Sequence, residues 1–276
     1  MSSIQPVCLI TGASAGIGAA LAHVFAGHGH TLVLAARRKP QLDALAAAIS
    51  AQGYARPHVV AIDLSTADGT DQLAEILAEQ GLEPQYVINN AGFGLLGEAA
   101  TLDRERQLAM IDLNVRALTD LSLRFVASVK RHGGGILNVA SITAFIPGPG
   151  MAVYHATKSY VLSFTEALHY ELAGEGVQVC ALCPGPVATE FFNRAGIPQH
   201  YLPRILVRSV SRVARAGYQG LMGKQSVVVP GKPNFVFSLL PKLLPRAWSL
   251  GFMQRRWNRL VARTLKADIR EPERHE

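Results

Sequence analysis

"VCLITGASAGIG", residues 7 to 18, sets an apolar run against three glycines and then opens a helical pattern. Strand, glycine turn and helix, in that order, are what a dinucleotide needs. Gly12, Gly16 and Gly18 permit a tight turn, close backbone approach to a pyrophosphate, and close packing of the helix on the strand. The first N–H groups of a helix lack intrahelical partners, so Ile17 and its neighbours can face the phosphates.

Outward from that stretch, short apolar runs alternate with longer helical ones. Strands are expected at 7–11, 31–36, 58–63, 86–90, 135–141, 177–183 and 226–230. Helices are expected near 17–28, 40–52, 68–80, 103–131, 151–173 and 209–222. Strands this continuous in Val, Ile and Leu indicate a parallel sheet covered on both faces. The expected fold is α/β: a Rossmann-type, doubly wound, seven-stranded parallel sheet forming a single catalytic domain over residues 1–230. Residues 231–276 form a basic, apolar C-terminal helical tail.

The 276 residues are 49% hydrophobic and 17% charged, which supplies a large core and argues against disorder. The N-terminus runs into its first strand without a basic leader region, so no secretory signal is expected. The uncharged run 133–157 is broken by "PGPG" at 147–150 and does not read as a membrane span. Three cysteines make no disulfide framework and suit a reducing, cytoplasmic setting. Cys180 and Cys183 lie in a strand, where residues three apart face opposite sides, so core packing is expected rather than metal binding. The histidines show no ligand spacing, and no metal site is expected.

Further motifs follow. "NNAG" stands at 89–92, Asn114 lies in "DLNV", Ser141 ends the fifth strand, and "PGPVAT" fills 184–189. Tyr154 and Lys158 lie four apart in "VYHATKSY" (153–160). Tyr-x-x-x-Lys recurs by chance in many helices, but here it keeps company. With T-G-x-x-x-G-x-G at 11–18, the set resembles the short-chain dehydrogenase/reductase family over roughly residues 5–230.

The resemblance implies hydride transfer between a nicotinamide dinucleotide and a carbonyl or alcohol, with Ser141, Tyr154, Lys158 and Asn114 catalytic. Tyr154 would protonate the forming alkoxide, a task poorly matched to an ordinary phenol pKa of about 10. The Lys158 ammonium, one turn away on the same face, is expected to lower that pKa. In the family the matching lysine also bonds the nicotinamide ribose. Ser141 would hydrogen-bond the substrate oxygen, and Asn114 would hold a water that relays protons to Lys158. His155, about 100° round the helix from Tyr154, reads as a bystander. By the same resemblance Asp63 and Leu64 meet the adenine, and Asn90, Ala91 and Gly92 line the adenosine side. Pro184, Gly185, Val187 and Thr189 lie at the carboxamide.

Cofactor choice turns on the end of the second strand. A carboxylate there would bond a ribose 2′-OH and repel a 2′-phosphate. This chain has Ala36, Arg37 and Arg38 instead. Guanidinium forks suit a phosphate, so NADP(H) is expected over NAD(H), with Ser14 adding a contact. The expected sheet-edge loops carry Phe93, Leu95, Leu96, Phe145, Ile146 and Met151, then Phe191, Phe192, Ile197 and Tyr201. They suit an apolar, lipid-like carbonyl or alcohol, or else packing against a second subunit of a homo-oligomer. No Arg or Lys stands out among them to clamp an acid.

The net charge of +7 is concentrated at the C-terminus, where residues 232–276 carry +6. Residues 235–266 interleave Leu, Phe and Trp with Lys242, Arg246, Arg255, Arg256, Arg259, Arg263 and Lys266. Two readings stay open: a helical cover on the domain or a partner subunit, or a basic helix lying peripherally on a membrane. Nucleic acid is not expected, because no reading module accompanies the charge. The rival from another class is a catalytically silent dinucleotide sensor or scaffold.

Overall fold

The computed structural model describes residues 4–197, 204–243, 245, 247–248, 250–255, 257–259 and 261. Its strands are β1 (Gln5–Thr11), β2 (Leu32–Ala36), β3 (His58–Ala61), β4 (Leu82–Asn89), β5 (Gly135–Val139), β6 (Gln178–Leu182) and β7 (Val227–Val228). They form one seven-stranded sheet, ordered β3-β2-β1-β4-β5-β6-β7, with parallel pairing throughout. The expected architecture is present.

Alternation along the strands builds two cores. Cys8 and Ile10 of β1 face a layer containing Leu21 and Phe25 of α1 (Gly16–Gly27), Leu42 of α2 (Lys39–Ala51) and Val213 of α9 (Val210–Met222). Val7 and Leu9 face the other side. There they meet Leu73 of α3 (Gly69–Glu79), Leu121 of α5 (Leu118–Arg124), Val129 of α6 (Val126–Arg131) and Leu168 of α7 (Ala152–Leu172). Cys180 and Cys183 are free, buried and in separate clusters, as residues three apart on a strand must be.

The helix expected over 103–131 is not continuous. α4 (Arg104–Ile111) passes into a π-helical turn, Asp112–Ala117, then α5, and the chain breaks again at Phe125 before α6. Periodicity does not reveal the π turn because its cause is tertiary. Asn114 is pulled out of register to bond the peptide of Phe93: its amide donates to the Phe93 carbonyl at 2.9 Å, and its Oδ1 accepts from the Phe93 N–H at 3.1 Å. β7 keeps only two of its five expected residues.

Beyond the sheet lie α8 (Glu190–Ala195) and α10 (Lys232–Leu243). Asn234 seats α10. It is fully buried and donates to the carbonyls of Pro230, at 2.8 Å, and Leu206, at 3.2 Å.

Candidate active site

The strand order reverses between β1 and β4, and a cleft of about 760 Å³ opens at the C-terminal ends of the strands there. Its two halves differ in chemistry.

In the first half, the turns after β1 and β4 are stitched together. Asn90 Nδ2 donates to the carbonyls of Thr11 and Gly12 at 3.0 and 3.2 Å. Thr11 Oγ1 accepts from the N–H groups of Asn90 and Ala91 at 3.0 and 3.1 Å. Gly12 has φ +63°, and a Cβ there would lie 2.8 Å from the Ala91 Cα. A Cβ on Gly18 would lie 2.5 Å from both Asn90 Nδ2 and the Gly12 carbonyl oxygen. Ala15 precedes α1 as a cap residue that offers no side-chain bond, leaving the helix's first N–H groups at the cleft. This backbone cradle, with helix donors and no side chain in the way, fits a pyrophosphate.

Arg38 turns into the cleft, donating through Nη2 and Nε to Ser14 Oγ at 3.0 and 3.3 Å, with Glu190 3.1 Å from Nη1. Arg37 also lines the cleft, at its solvent side. Its side chain is 67% exposed and lies 3.5 Å from Asp63 Oδ2. Burial pushes the Asp63 carboxyl up, but hydrogen bonds from Ser65 and the Arg37 guanidinium outweigh it and leave the pKa lowered. Leu64, Gly92, Pro184, Gly185, Val187 and Thr189 all line the same cleft.

In the second half, α7 presents Tyr154 and Lys158 on one buried stripe that continues through Val161, Leu162, Thr165 and Leu168. Ser141 follows β5 and caps the 3-10 turn Ile142–Phe145, its Oγ accepting from the Thr143 N–H at 3.2 Å. Lys158 Nζ donates to the Val139 carbonyl at 2.7 Å and lies 5.9 Å from the Tyr154 ring centre.

Without the dinucleotide, the protein's own groups do not lower the tyrosine. Burial raises the Tyr154 pKa to about 12, with the Ser141 and Thr143 hydroxyls pulling the other way. Burial lowers Lys158 to about 8. Desolvation penalises the charged form of both groups, and the ammonium is committed to a carbonyl rather than to the phenol. Tyr154 is therefore a proton carrier at neutral pH.

Asn114 is completely buried and also donates to Thr157 Oγ1 at 3.2 Å, so its side-chain amide is committed to protein. His155 is buried. It lines the cleft, its ring Nδ1 lies 2.6 Å from the Ile146 carbonyl, and burial lowers its pKa.

Of the apolar residues singled out, Phe93, Leu96, Ile146, Met151, Phe191, Phe192 and Ile197 line the cleft. Leu95 packs beneath it with Met110 and Tyr154, and Phe145 belongs to a separate cluster. Tyr201 lies outside the described residues. Sequence reasoning missed Thr143, Arg106 and Arg194, which also line the cleft, and the buried amide ladder below it. In that ladder Asn89 donates to Asn138 Oδ1 and Ser122 Oγ, both at 2.9 Å, and Asn138 donates to Thr165 at 3.0 Å. The first Asn of "NNAG" and the Asn of "GILNVAS" gave no polar-pair signal, because strand partners are invisible along the chain.

A family profile described as short chain dehydrogenase matches residues 6–198. The chain belongs to the short-chain dehydrogenase family. A sulfoacetaldehyde reductase of Chromohalobacter salexigens is 38% identical over 185 residues, 66% of this chain and 72% of that one. A short-chain dehydrogenase from Sphingobium yanoikuyae, solved in complex with NADPH, superposes with TM-score 0.75 at 36% identity, covering 83% and 89% of the two chains. The bulky-bulky ketone specific alcohol dehydrogenase of Comamonas testosteroni superposes with TM-score 0.70 at 31% identity, covering 83% and 87%. As a short-chain dehydrogenase, the protein is a nicotinamide-dinucleotide-dependent oxidoreductase of alcohols and carbonyls. Among the described residues no group of three His, Cys, Asp or Glu side chains is placed to hold a metal, and no helix is long and apolar enough to cross a membrane.

Proposed function

We propose that the protein is a cytoplasmic, NADP(H)-dependent reductase of apolar carbonyl compounds, equivalently a dehydrogenase of the matching primary or secondary alcohols. One observation carries the reading: a buried phenol that keeps its proton, Tyr154, stands beside the Ser141 hydroxyl at the mouth of an apolar cleft, with Lys158 behind it. When bound, the dinucleotide supplies or accepts the hydride. Gly12, Gly16, Ile17 and Gly18 hold its pyrophosphate, and Ser14 with Arg38 takes the 2′-phosphate. Asp63 and Leu64 flank the adenine, Asn90, Ala91 and Gly92 the adenosine side, and Pro184, Gly185, Val187 and Thr189 the carboxamide.

Ser141 orients the substrate oxygen by donating a hydrogen bond, and Tyr154 delivers the proton as negative charge grows there. Lys158 contributes positive charge near the phenol. Asn114 holds the Phe93 peptide and the start of the site wall in place. A silent sensor would need none of Ser141, Tyr154 or Lys158. The test is a panel of aldehydes, ketones and alcohols followed by the absorbance of NADPH; tight binding of NADPH with no turnover of any member would favour the sensor.

The charge on Lys158 has a pH signature. The ammonium is present below about pH 8 and lost above it, whereas Tyr154 keeps its proton to about 12. The kcat/KM of reduction should therefore fall as pH rises through about 8, and Lys158→Met should remove that dependence together with most of the rate. A flat wild-type profile from pH 6 to about 9 would contradict a role for the lysine charge.

Two surfaces support further proposals. Leu108, Ile111, Leu123 and Tyr160 of α4, α5 and α7 are exposed, which suits a homo-oligomer built on that face. Phe235, Val236, Leu239, Leu240, Trp248 and Phe252 are exposed beside Lys232, Arg255 and Arg259, which suits peripheral contact with anionic lipid. Arg246, Arg256, Arg263 and Lys266 lie outside the described residues, and Lys242 is described by its backbone alone. Sedimentation with anionic vesicles should carry the protein down at low salt and release it at high salt. Equal recovery with neutral vesicles, or none with either, contradicts the lipid reading and leaves the tail as a cover.

A further inference from the structure

The C-terminal segment reaches back to the active cleft. Phe237 of α10 and Met253 of the last helical stretch both line the cleft that holds Tyr154, although they lie about eighty and a hundred residues beyond it in sequence. Each is half-buried, while Phe235, Val236 and Phe252 beside them point outward. Trp257, one helical turn after Met253, is 8% exposed. It rests on Gly150, where an added Cβ would stand 2.1 Å from the indole ring, so only a glycine leaves room for it.

Gly150 in turn is tied to the rest of the site. Its carbonyl accepts from the Gly97 N–H at 2.8 Å. Two residues before it, Gly148 lies against the His155 ring, which would meet a Cβ there at 2.2 Å. The "PGPG" loop thus joins the Trp257 seat to the start of the helix that carries Tyr154. At the other end, Asn234 fixes α10 against Gly185, whose Cβ would lie 2.5 Å from the Asn234 amide.

We infer that the C-terminal segment forms one wall of the substrate half of the cleft, with Phe237 and Met253 as specificity-determining residues and Trp257 as the residue that positions Met253. The wall selects apolar carbonyl compounds long or broad enough to reach it from Tyr154, and it is indifferent to small ones. Thioether and phenyl surfaces offer apolar contact without charge, and a methylene-sized gain or loss in such a pocket changes selectivity about ten- to two-hundred-fold. The inference rests on the proposed carbonyl reductase reading, and the experiment separates the two.

The primary measurement is calorimetric binding of a long-chain methyl ketone and of butanone to the NADPH-loaded protein, followed by the steady-state kinetics of both. Met253→Ala and Phe237→Ala should each weaken the long ketone about ten-fold in Kd and KM. Their kcat, their butanone KM and their NADPH affinity should stay unchanged. Trp257→Ala should reproduce the Met253 pattern and Trp257→Phe should restore it, with thermal melting showing that each variant is folded. A long-to-short ketone preference equal to that of the wild type in folded Met253→Ala and Phe237→Ala overturns the wall. Weaker long-ketone binding in those variants, with no turnover of either ketone by the wild type, upholds the wall and overturns the reductase reading instead.

Discussion

Tyr154→Phe should lower turnover by about 10²- to 10⁴-fold, the range expected when a positioned proton donor is removed. The ring itself has structural work, packing 5.5 Å from Phe191 and lying in the cluster of Leu95 and Met110, and phenylalanine preserves it. NADPH affinity and melting temperature should therefore remain close to wild type, so that the loss is chemical. Stopped-flow reduction of a carbonyl, with dinucleotide binding measured in parallel, checks both halves. Turnover undiminished in this variant would remove Tyr154 from the mechanism.

The second large effect concerns the cofactor. Arg38→Ala should weaken NADPH about ten- to a hundred-fold, the size of one lost hydrogen bond to a charged group, and leave NADH nearly unchanged. The larger effect is expected at Arg38, whose guanidinium bonds Ser14 and Glu190 within the cleft. Arg37 is mostly in solvent, where its contact with Asp63 is worth little. Arg37→Asp should nevertheless shift preference towards NADH, by a smaller factor. Binding titrations with both dinucleotides decide the matter, and a wild-type preference for NADH would show that the arginines only decorate the start of α2.

What was legible in the chain was what depends on neighbours in sequence. The glycine spacing at 11–18 and the strand before it are local, and they placed Gly12 and Gly18 where the structure shows no room for a Cβ, and Gly16 where φ is +59°. Helical spacing placed Tyr154 and Lys158 on one face, and the structure brings both to the cleft with Ser141. Direction of a pKa was not legible. It depends on burial of the ring among residues of distant segments such as Phe191 and Met151. Nor was the π turn, which exists because Asn114 bonds a peptide on another strand's loop. The composition of the tail left cover and lipid contact both open. The seat of Trp257 on Gly150, across a hundred residues of chain, and that of Asn234 beside Gly185 show which side of that segment faces the domain.

Hydride transfer to a carbonyl at the Tyr154 cleft leaves an isotopic trace. The most direct test is to mix the purified protein with NADPH deuterated at the nicotinamide C4 position and a panel of apolar aldehydes and ketones, then analyse the products by mass spectrometry. The wild type should yield alcohols carrying deuterium on the carbinol carbon, and Tyr154→Phe a rate of labelling reduced in proportion to its turnover. NADPH bound tightly, with no deuterium in any product, would contradict hydride transfer.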